Sequence, residues 1–138
     1  NVVGIAMLCK YFGKQMKERG YGKIINVSST RGARACLGGN ASYCTTKGAL
    51  DMLTRTAACD LGPEVCVNAI GPTNTVTPMM EDLIKEHPEI LHLGDDKPLQ
   101  RIGTVEDCMG PAVFLASHAS DFMTGQIVYA DGGMTAIG

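Results

Sequence analysis

The sequence predicts an α/β fold in which helices pack on a parallel sheet, and three observations carry that prediction. Three short apolar runs, Lys23–Val27, Val65–Ile70 and Gln126–Ala130, have the length and content of buried strands. Long helical patterns precede and separate them, at about 2–18, 41–61 and 104–117. Strands alternating with helices of that length require right-handed β-α-β crossovers, and those make a parallel sheet. No internal repeat, low-complexity tract or second domain interrupts residues 1–138.

The first helical pattern places Val2, Val3, Ile5, Ala6, Leu8, Cys9, Phe12 and Met16 on one side, and Lys10, Lys14, Lys17 and Glu18 on the other. It is expected to start at or before Asn1 and to stop at Gly20 or Gly22. The strand Lys23–Val27 ends in Ser28-Ser29, and the small, Gly-rich residues 30–40 read as a loop. The second helix runs from about Ala41 to Leu61 and stops at Gly62-Pro63. Val65, Val67, Ala69 and Ile70 form the next strand, interrupted by Asn68 and broken by Gly71-Pro72. Residues 73–100 hold no clean strand. Met79–Glu86 reads as a short helix, and Gly94-Asp95-Asp96 as a turn. The segment is too long for a plain connector and reads as a functional flap. In the third helix, Thr104 is the expected N-cap with Asp107 as its capping-box partner, and Pro111 fits the first turn if the helix begins near Cys108. The last strand is followed by Asp131-Gly132-Gly133, a structural turn.

The 138 residues suffice for one core. With 45% hydrophobic and 19% charged residues, the chain has the composition of a globular protein rather than a disordered one. A net charge of −2 offers no basic patch, so nucleic acid is not an expected partner. No apolar run approaches the roughly 20 residues of a membrane span. The six cysteines form no C-x-x-C pair and the three histidines complete no zinc pattern, so no metal is expected. With no signal peptide in view, the cysteines read as reduced thiols of a cytoplasmic protein.

The chemistry concentrates in Ser42-Tyr43-Cys44-Thr45-Thr46-Lys47-Gly48-Ala49-Leu50. Tyr43 and Lys47 stand four apart, on one face of a helix and one turn from each other. An ammonium beside a phenol favours loss of the phenolic proton, which suits proton exchange with a substrate oxygen. Any exposed helix can carry such a pair, so the surroundings decide. Ligands of an open parallel sheet bind outside the carboxyl ends of its strands. Ser28-Ser29 closes the first strand there, and Gly71-Pro72 closes the second, followed by Thr73 to Thr77. The Tyr43/Lys47 helix starts at the same end. A hydroxyl, a phenol and an ammonium thus converge on one cleft. A serine hydrolase would need a histidine beside the serine or a G-x-S-x-G elbow, and the sequence supplies neither.

Taken together, Asn1-Val2-Val3-Gly4, Ile25-Asn26-Val27-Ser28-Ser29, Tyr43-Cys44-Thr45-Thr46-Lys47-Gly48-Ala49, Val67-Asn68-Ala69-Ile70-Gly71-Pro72 and Asp131-Gly132-Gly133 resemble the short-chain dehydrogenases/reductases, with a carbonyl or L-xylulose reductase-like flavour. The motifs follow the family's order across nearly the whole chain. The resemblance implies a Rossmann-like doubly wound parallel sheet, of which the C-terminal three strands and flanking helices are present and the N-terminal half is missing. It implies an NAD(P)-dependent oxidoreductase that interconverts a small carbonyl compound, possibly a sugar or polyol, and its alcohol by hydride transfer. Tyr43 would be the general acid or base, and Lys47 would bind the nicotinamide ribose and favour the Tyr43 phenolate. Ser29 would hydrogen-bond the substrate oxygen. Asn1 would match the helix asparagine that completes a proton relay. Pro72, Thr73, Thr75 and Thr77 would meet the cofactor, which is NAD or NADP. In the full-length protein the long Tyr/Lys helix would pair with its copy in a homodimer or homotetramer, offering Leu50, Leu53, Ala57, Ala58 and Leu61.

Three departures qualify the resemblance. The Ser29-to-Tyr43 gap is one residue longer than usual, so that spacing favours Thr30 while the Ser-Ser-x-x-Gly pattern favours Ser29. Thr73 stands where Gly commonly follows the Pro. The Gly-rich phosphate turn and the residue that selects NAD from NADP are missing from the sequence. The rival expectation is therefore a non-enzymatic fragment or interaction module lacking a complete dinucleotide site.

Overall fold

The computed structural model describes residues 2–36 and 40–137. Helix α1 (Val3–Glu18) leads into strand β1 (Gly22–Val27), and a 3-10 turn at Thr30–Gly32 precedes helix α2 (Ala41–Leu61). Strand β2 (Val65–Pro72) follows, then the short strand β3 (Thr75–Val76), helix α3 (Glu81–Glu86) and strand β4 (Gly103–Thr104). Helix α4 (Glu106–Ala116) and strand β5 (Ile127–Ala130) complete the chain. Strands β1, β2 and β5 form one parallel sheet in that order, with β2 central. The register runs from Gly22 opposite Val65 to Val27 opposite Ile70, and from Ala69 opposite Ile127 to Pro72 opposite Ala130. The predicted parallel α/β architecture is thus observed.

Local chemistry explains how α1 turns into β1. Gly20 has φ +77°, a conformation an L side chain resists. That turn lets Gly20 N–H reach the Lys17 carbonyl at 3.1 Å and Tyr21 N–H reach the Met16 carbonyl at 3.2 Å, the paired bonds of a Schellman stop. The helix begins at Val3, later than its pattern suggests, with Val2 as an N-cap that makes no side-chain hydrogen bond.

Strand alternation sorts β1 onto two faces. Ile24 packs with the cluster of Ala57, Ala58, Val65 and Val67, together with Met16 and Leu61. Asn26 lies on the same face and donates to Thr54 Oγ1 at 2.9 Å, so its buried amide is paired. Lys23 points the other way, to Asp121 at 2.8 Å and Ser120 at 3.2 Å, beyond the end of α4. Helices α1 and α2 therefore cover one face, and α4 with the turn at His118–Ser120 covers the other. Leu50, Ala57 and Ala58, which the sequence offered as contacts between subunits, are buried here. They fill the chain's own core.

Three elements differ from expectation. Strand β2 continues through Gly71 and Pro72, because β5 pairs alongside them. Gly71 is needed there, since a Cβ would sit 2.5 Å from the Tyr129 ring. Residues 73–100 contain the two-residue strand β3, which pairs with β4. Thr104 consequently belongs to β4, and α4 starts at Glu106 rather than at a Thr104 cap. Asp107 still accepts from the Thr104 N–H at 2.8 Å, and both Arg101 guanidinium nitrogens grip its carboxylate at 2.7 Å. That pairing holds the Asp107 carboxyl well below the usual carboxylate range. Pro111 sits inside α4, beyond its first turn. Among the described residues, no helix is long and apolar enough to cross a membrane, and no His/Cys/Asp/Glu cluster has the makings of a metal site.

Candidate active site

The first turns of α2 meet the end of β1. Lys47 Nζ donates to the Val27 carbonyl at 2.8 Å, which ties the helix to the strand's last residue. The same ammonium lies 5.7 Å from the centre of the Tyr43 ring. The sequence pair is thus a spatial pair, one helical turn apart and at the carboxyl end of a parallel strand. Tyr43 is 41% exposed, and its hydroxyl has no hydrogen-bond partner among the described residues. A phenol held beside a cation, facing outward and otherwise unengaged, is placed to exchange a proton with a bound molecule.

The two serines after β1 part company. Ser28 continues the Ile24/Asn26 face and donates a short hydrogen bond to Asp51 Oδ1 on α2. Ser29 is extended, at φ −165° and ψ 157°, and its Oγ accepts from the Arg31 N–H at 3.2 Å. The Ser29 hydroxyl proton is therefore not spent on that contact. Thr30, the candidate by spacing, opens the 3-10 turn and is 1% exposed. Gly32 lets this turn lie on α2, because a Cβ there would fall 2.5 Å from Asp51 Oδ2 and 3.0 Å from the Lys47 carbonyl oxygen.

Asp51 went unread in the sequence, where a lone aspartate in a helix suggests a solvated face. Strand parity was the available signal: the side of β1 that carries Ile24 and Asn26 must also present Ser28 to α2. Asp51 is 3% exposed. Its second oxygen receives the Tyr129 hydroxyl from β5 at 3.4 Å. Burial first, and then the Asp51 charge, push the Tyr129 phenol above its ordinary range.

The predicted cofactor loop lies at the same end of the sheet but not against Tyr43. Thr73 Oγ1 donates to Met134 Sδ at 3.1 Å, and Thr75 Oγ1 donates to the Thr73 carbonyl at 2.9 Å, so both hydroxyls are engaged within the chain. The Thr77 carbonyl accepts from Met80 N–H at 2.8 Å. Pro72 is the last residue of β2. A cavity of about 460 Å³ joins Thr73 to Arg101, Asp107, Tyr129 and Asp131, and does not include Tyr43, Lys47 or Ser29. Asp131 stitches the turn after β5. Burial alone would raise its carboxyl, yet donors from Thr135 and Gly133 outweigh that and lower it. Asn1 lies outside the described residues. A larger groove, about 680 Å³, runs between α1 and the C-terminal half of α2, lined by Ala6, Cys9, Lys14, Leu53, Thr56 and Leu61, remote from the Tyr43 chemistry.

The family model described as enoyl-(acyl carrier protein) reductase matches residues 1–135. The short-chain reductase protein NovJ of Streptomyces niveus is 38% identical over 144 aligned residues, which take in 95% of this chain and 52% of that protein. L-xylulose reductase of Mus musculus is 38% identical over 138 residues, covering 99% of this chain and 56% of its own length. A solved gluconate 5-dehydrogenase from Burkholderia cenocepacia, in complex with NADP and tartrate, superposes with a TM-score of 0.79 at 35% identity, over 91% of this chain and 49% of that one. The chain spans about half the length of the curated relatives it matches.

Proposed function

The chain belongs to the short-chain dehydrogenase/reductase family, and from that premise we propose that residues 1–138 form the catalytic portion of an NAD(P)-dependent oxidoreductase. The reaction interconverts a small carbonyl compound and its alcohol. The single observation that carries this reading is the Tyr43/Lys47 pair docked on the carboxyl end of β1, with Lys47 Nζ 2.8 Å from the Val27 carbonyl and 5.7 Å from the Tyr43 ring.

When bound, the dinucleotide supplies the hydride and the electron pair it carries. The groups in this chain suit its nicotinamide end: an ammonium beside an outward phenol, and the end of β2 at Pro72. They do not include a Gly-rich phosphate turn. Tyr43 delivers its proton to the carbonyl oxygen as that oxygen gains negative charge, and takes it back in the alcohol-to-carbonyl direction. Lys47 stabilises the phenolate left behind and offers N–H donors to a ribose hydroxyl. Ser29 donates a hydrogen bond to the same substrate oxygen, where the bond strengthens as charge develops. Asn1 completes the proton relay, and Thr73, Thr75 and Thr77 line the approach of the nicotinamide carboxamide through backbone groups. Residues 73–100 act as a flap over substrate and cofactor.

A sugar or polyol substrate is favoured by the company of L-xylulose reductase and gluconate 5-dehydrogenase among the relatives. In the full-length protein, the long Tyr43/Lys47 helix pairs with its copy in a homodimer or homotetramer, a reading supported by Leu53 and Leu61, which line the groove beside it and are only partly buried. Light scattering that finds only monomer removes that assembly. The central test is isotopic. Full-length protein incubated with reduced nicotinamide cofactor carrying deuterium at both C4 positions, and a panel of ketoses and keto acids, should place deuterium on the new carbinol carbon. Turnover of cofactor without label in the product contradicts direct hydride transfer.

A further inference from the structure

Asp51 is a buried carboxylate that the proton relay described above does not use. It has no salt-bridge partner among the described residues, and two hydroxyls take the place of a cation. Ser28 donates to Oδ1 from the end of β1, and Tyr129 donates to Oδ2 at 3.4 Å from β5. Burying a polar carboxyl is costly unless its oxygens are hydrogen-bonded, so its presence asks for a reason that an apolar residue could not satisfy. The carboxylate bridges α2, the β1 end and β5. It does so one helical turn beyond Lys47 and directly beneath the turn that carries Ser29. Gly32, the last residue of that turn, has room for no Cβ against Asp51 Oδ2.

Ser28 Oγ and the Tyr129 hydroxyl both donate to this carboxyl, one to each oxygen. Ser28 is pinned toward α2. Because successive residues of extended chain point to opposite sides, Ser29, itself 7% exposed, faces the side opposite Ser28. Asp51 thus holds Ser28, and not Ser29, on the α2 side.

We propose that Asp51 is a positioning residue of the catalytic site: by capturing the Ser28 hydroxyl it sets the register of the Ser28-Ser29 pair and aims Ser29 at the substrate oxygen. The proposal rests on the oxidoreductase reading of Tyr43, Lys47 and Ser29. It adds a residue that acts through Ser28 and touches neither substrate nor cofactor.

The test uses the full-length protein and four variants. Asp51→Leu keeps the branching at Cγ but removes the acceptor, Asp51→Asn keeps an acceptor oxygen for Ser28, and Ser28→Ala removes the donor. The double variant Asp51→Leu/Ser28→Ala closes a cycle. Asp51→Leu and Ser28→Ala should each lower kcat roughly tenfold or more, the scale on which small misplacements act. The Kd for reduced cofactor should stay within about twofold, the double variant should be no worse than the poorer single one, and Asp51→Asn should recover most of kcat. A lowered melting temperature with kcat intact in Asp51→Leu overturns the proposal, because a purely structural role predicts that pattern. So does Ser28→Ala with full kcat, which decides the matter even if Asp51→Leu does not fold. Turnover unchanged in Tyr43→Phe is a separate result: it overturns the oxidoreductase reading, and the Asp51 variants do not enter into it.

Discussion

Lys47 serves the fold and, in the proposed reaction, the chemistry as well. Its ammonium closes α2 onto β1 through the Val27 carbonyl and stands beside the Tyr43 ring. Replacing it with Met should weaken cofactor binding and lower kcat together, and Arg should restore little, because a planar fork does not reproduce a compact ammonium. Steady-state kinetics paired with cofactor titration reads both effects. Ser29→Ala, by contrast, should lower kcat by about 10²-fold with cofactor affinity retained, the scale of losing one donor to a developing oxyanion. An equal loss of cofactor affinity contradicts the role given to Ser29. The Tyr43/Lys47 pair was legible in the sequence because helical spacing alone makes the two residues neighbours. The choice among Ser28, Ser29 and Thr30 was not, because motif and spacing disagree by one residue. Strand parity separates Ser28 from Ser29, and which of them faces α2 depends on which face of β1 meets that helix.

At the scale of elements, the three main strands and three main helices follow the hydrophobic periods of the sequence, since burial on one or both faces imposes those periods. The short β3/β4 pair was not legible. Two-residue strands are too brief to carry a period, and Thr75 meets Gly103 only through tertiary folding. The pair changes the account of α4's start. Asp107 joins Thr104 to Arg101, so one carboxylate fastens both β4 and the first turn of α4. Its folded-state pKa lies below the unfolded value, so the stabilisation is present above the unfolded pKa and is lost as pH falls through the folded one. The stability advantage of the native protein over Asp107→Asn should hold from neutral pH down to about pH 4 and shrink in stronger acid. Urea-denaturation midpoints across that range check this, and a gap that widens in acid contradicts it. In the same helix Leu115 is 0% exposed. Truncation to Ala should cost about 2–5 kcal/mol, unless the pocket collapses around it.

The whole molecule is lopsided. Strand β1 has β2 on one side and no sheet partner on the other among the described residues, while Val27 is 61% exposed. Met7, Leu8, Tyr11 and Phe12 leave much of α1 uncovered. An open edge beside an apolar helix is a surface that soluble proteins cover. The groups that hold the phosphates and adenosine of a dinucleotide are not recognisable in these residues, so the 138-residue chain by itself should bind NAD(P)H weakly. Submicromolar binding by calorimetry refutes that. The central claim is that Tyr43, cradled by Lys47, moves the proton. It is tested most directly by nicotinamide-linked turnover of the full-length protein beside its Tyr43→Phe variant, with cofactor binding measured in parallel. The account predicts that kcat falls at least about 10²-fold while cofactor affinity is kept; turnover equal to that of the native protein would contradict it.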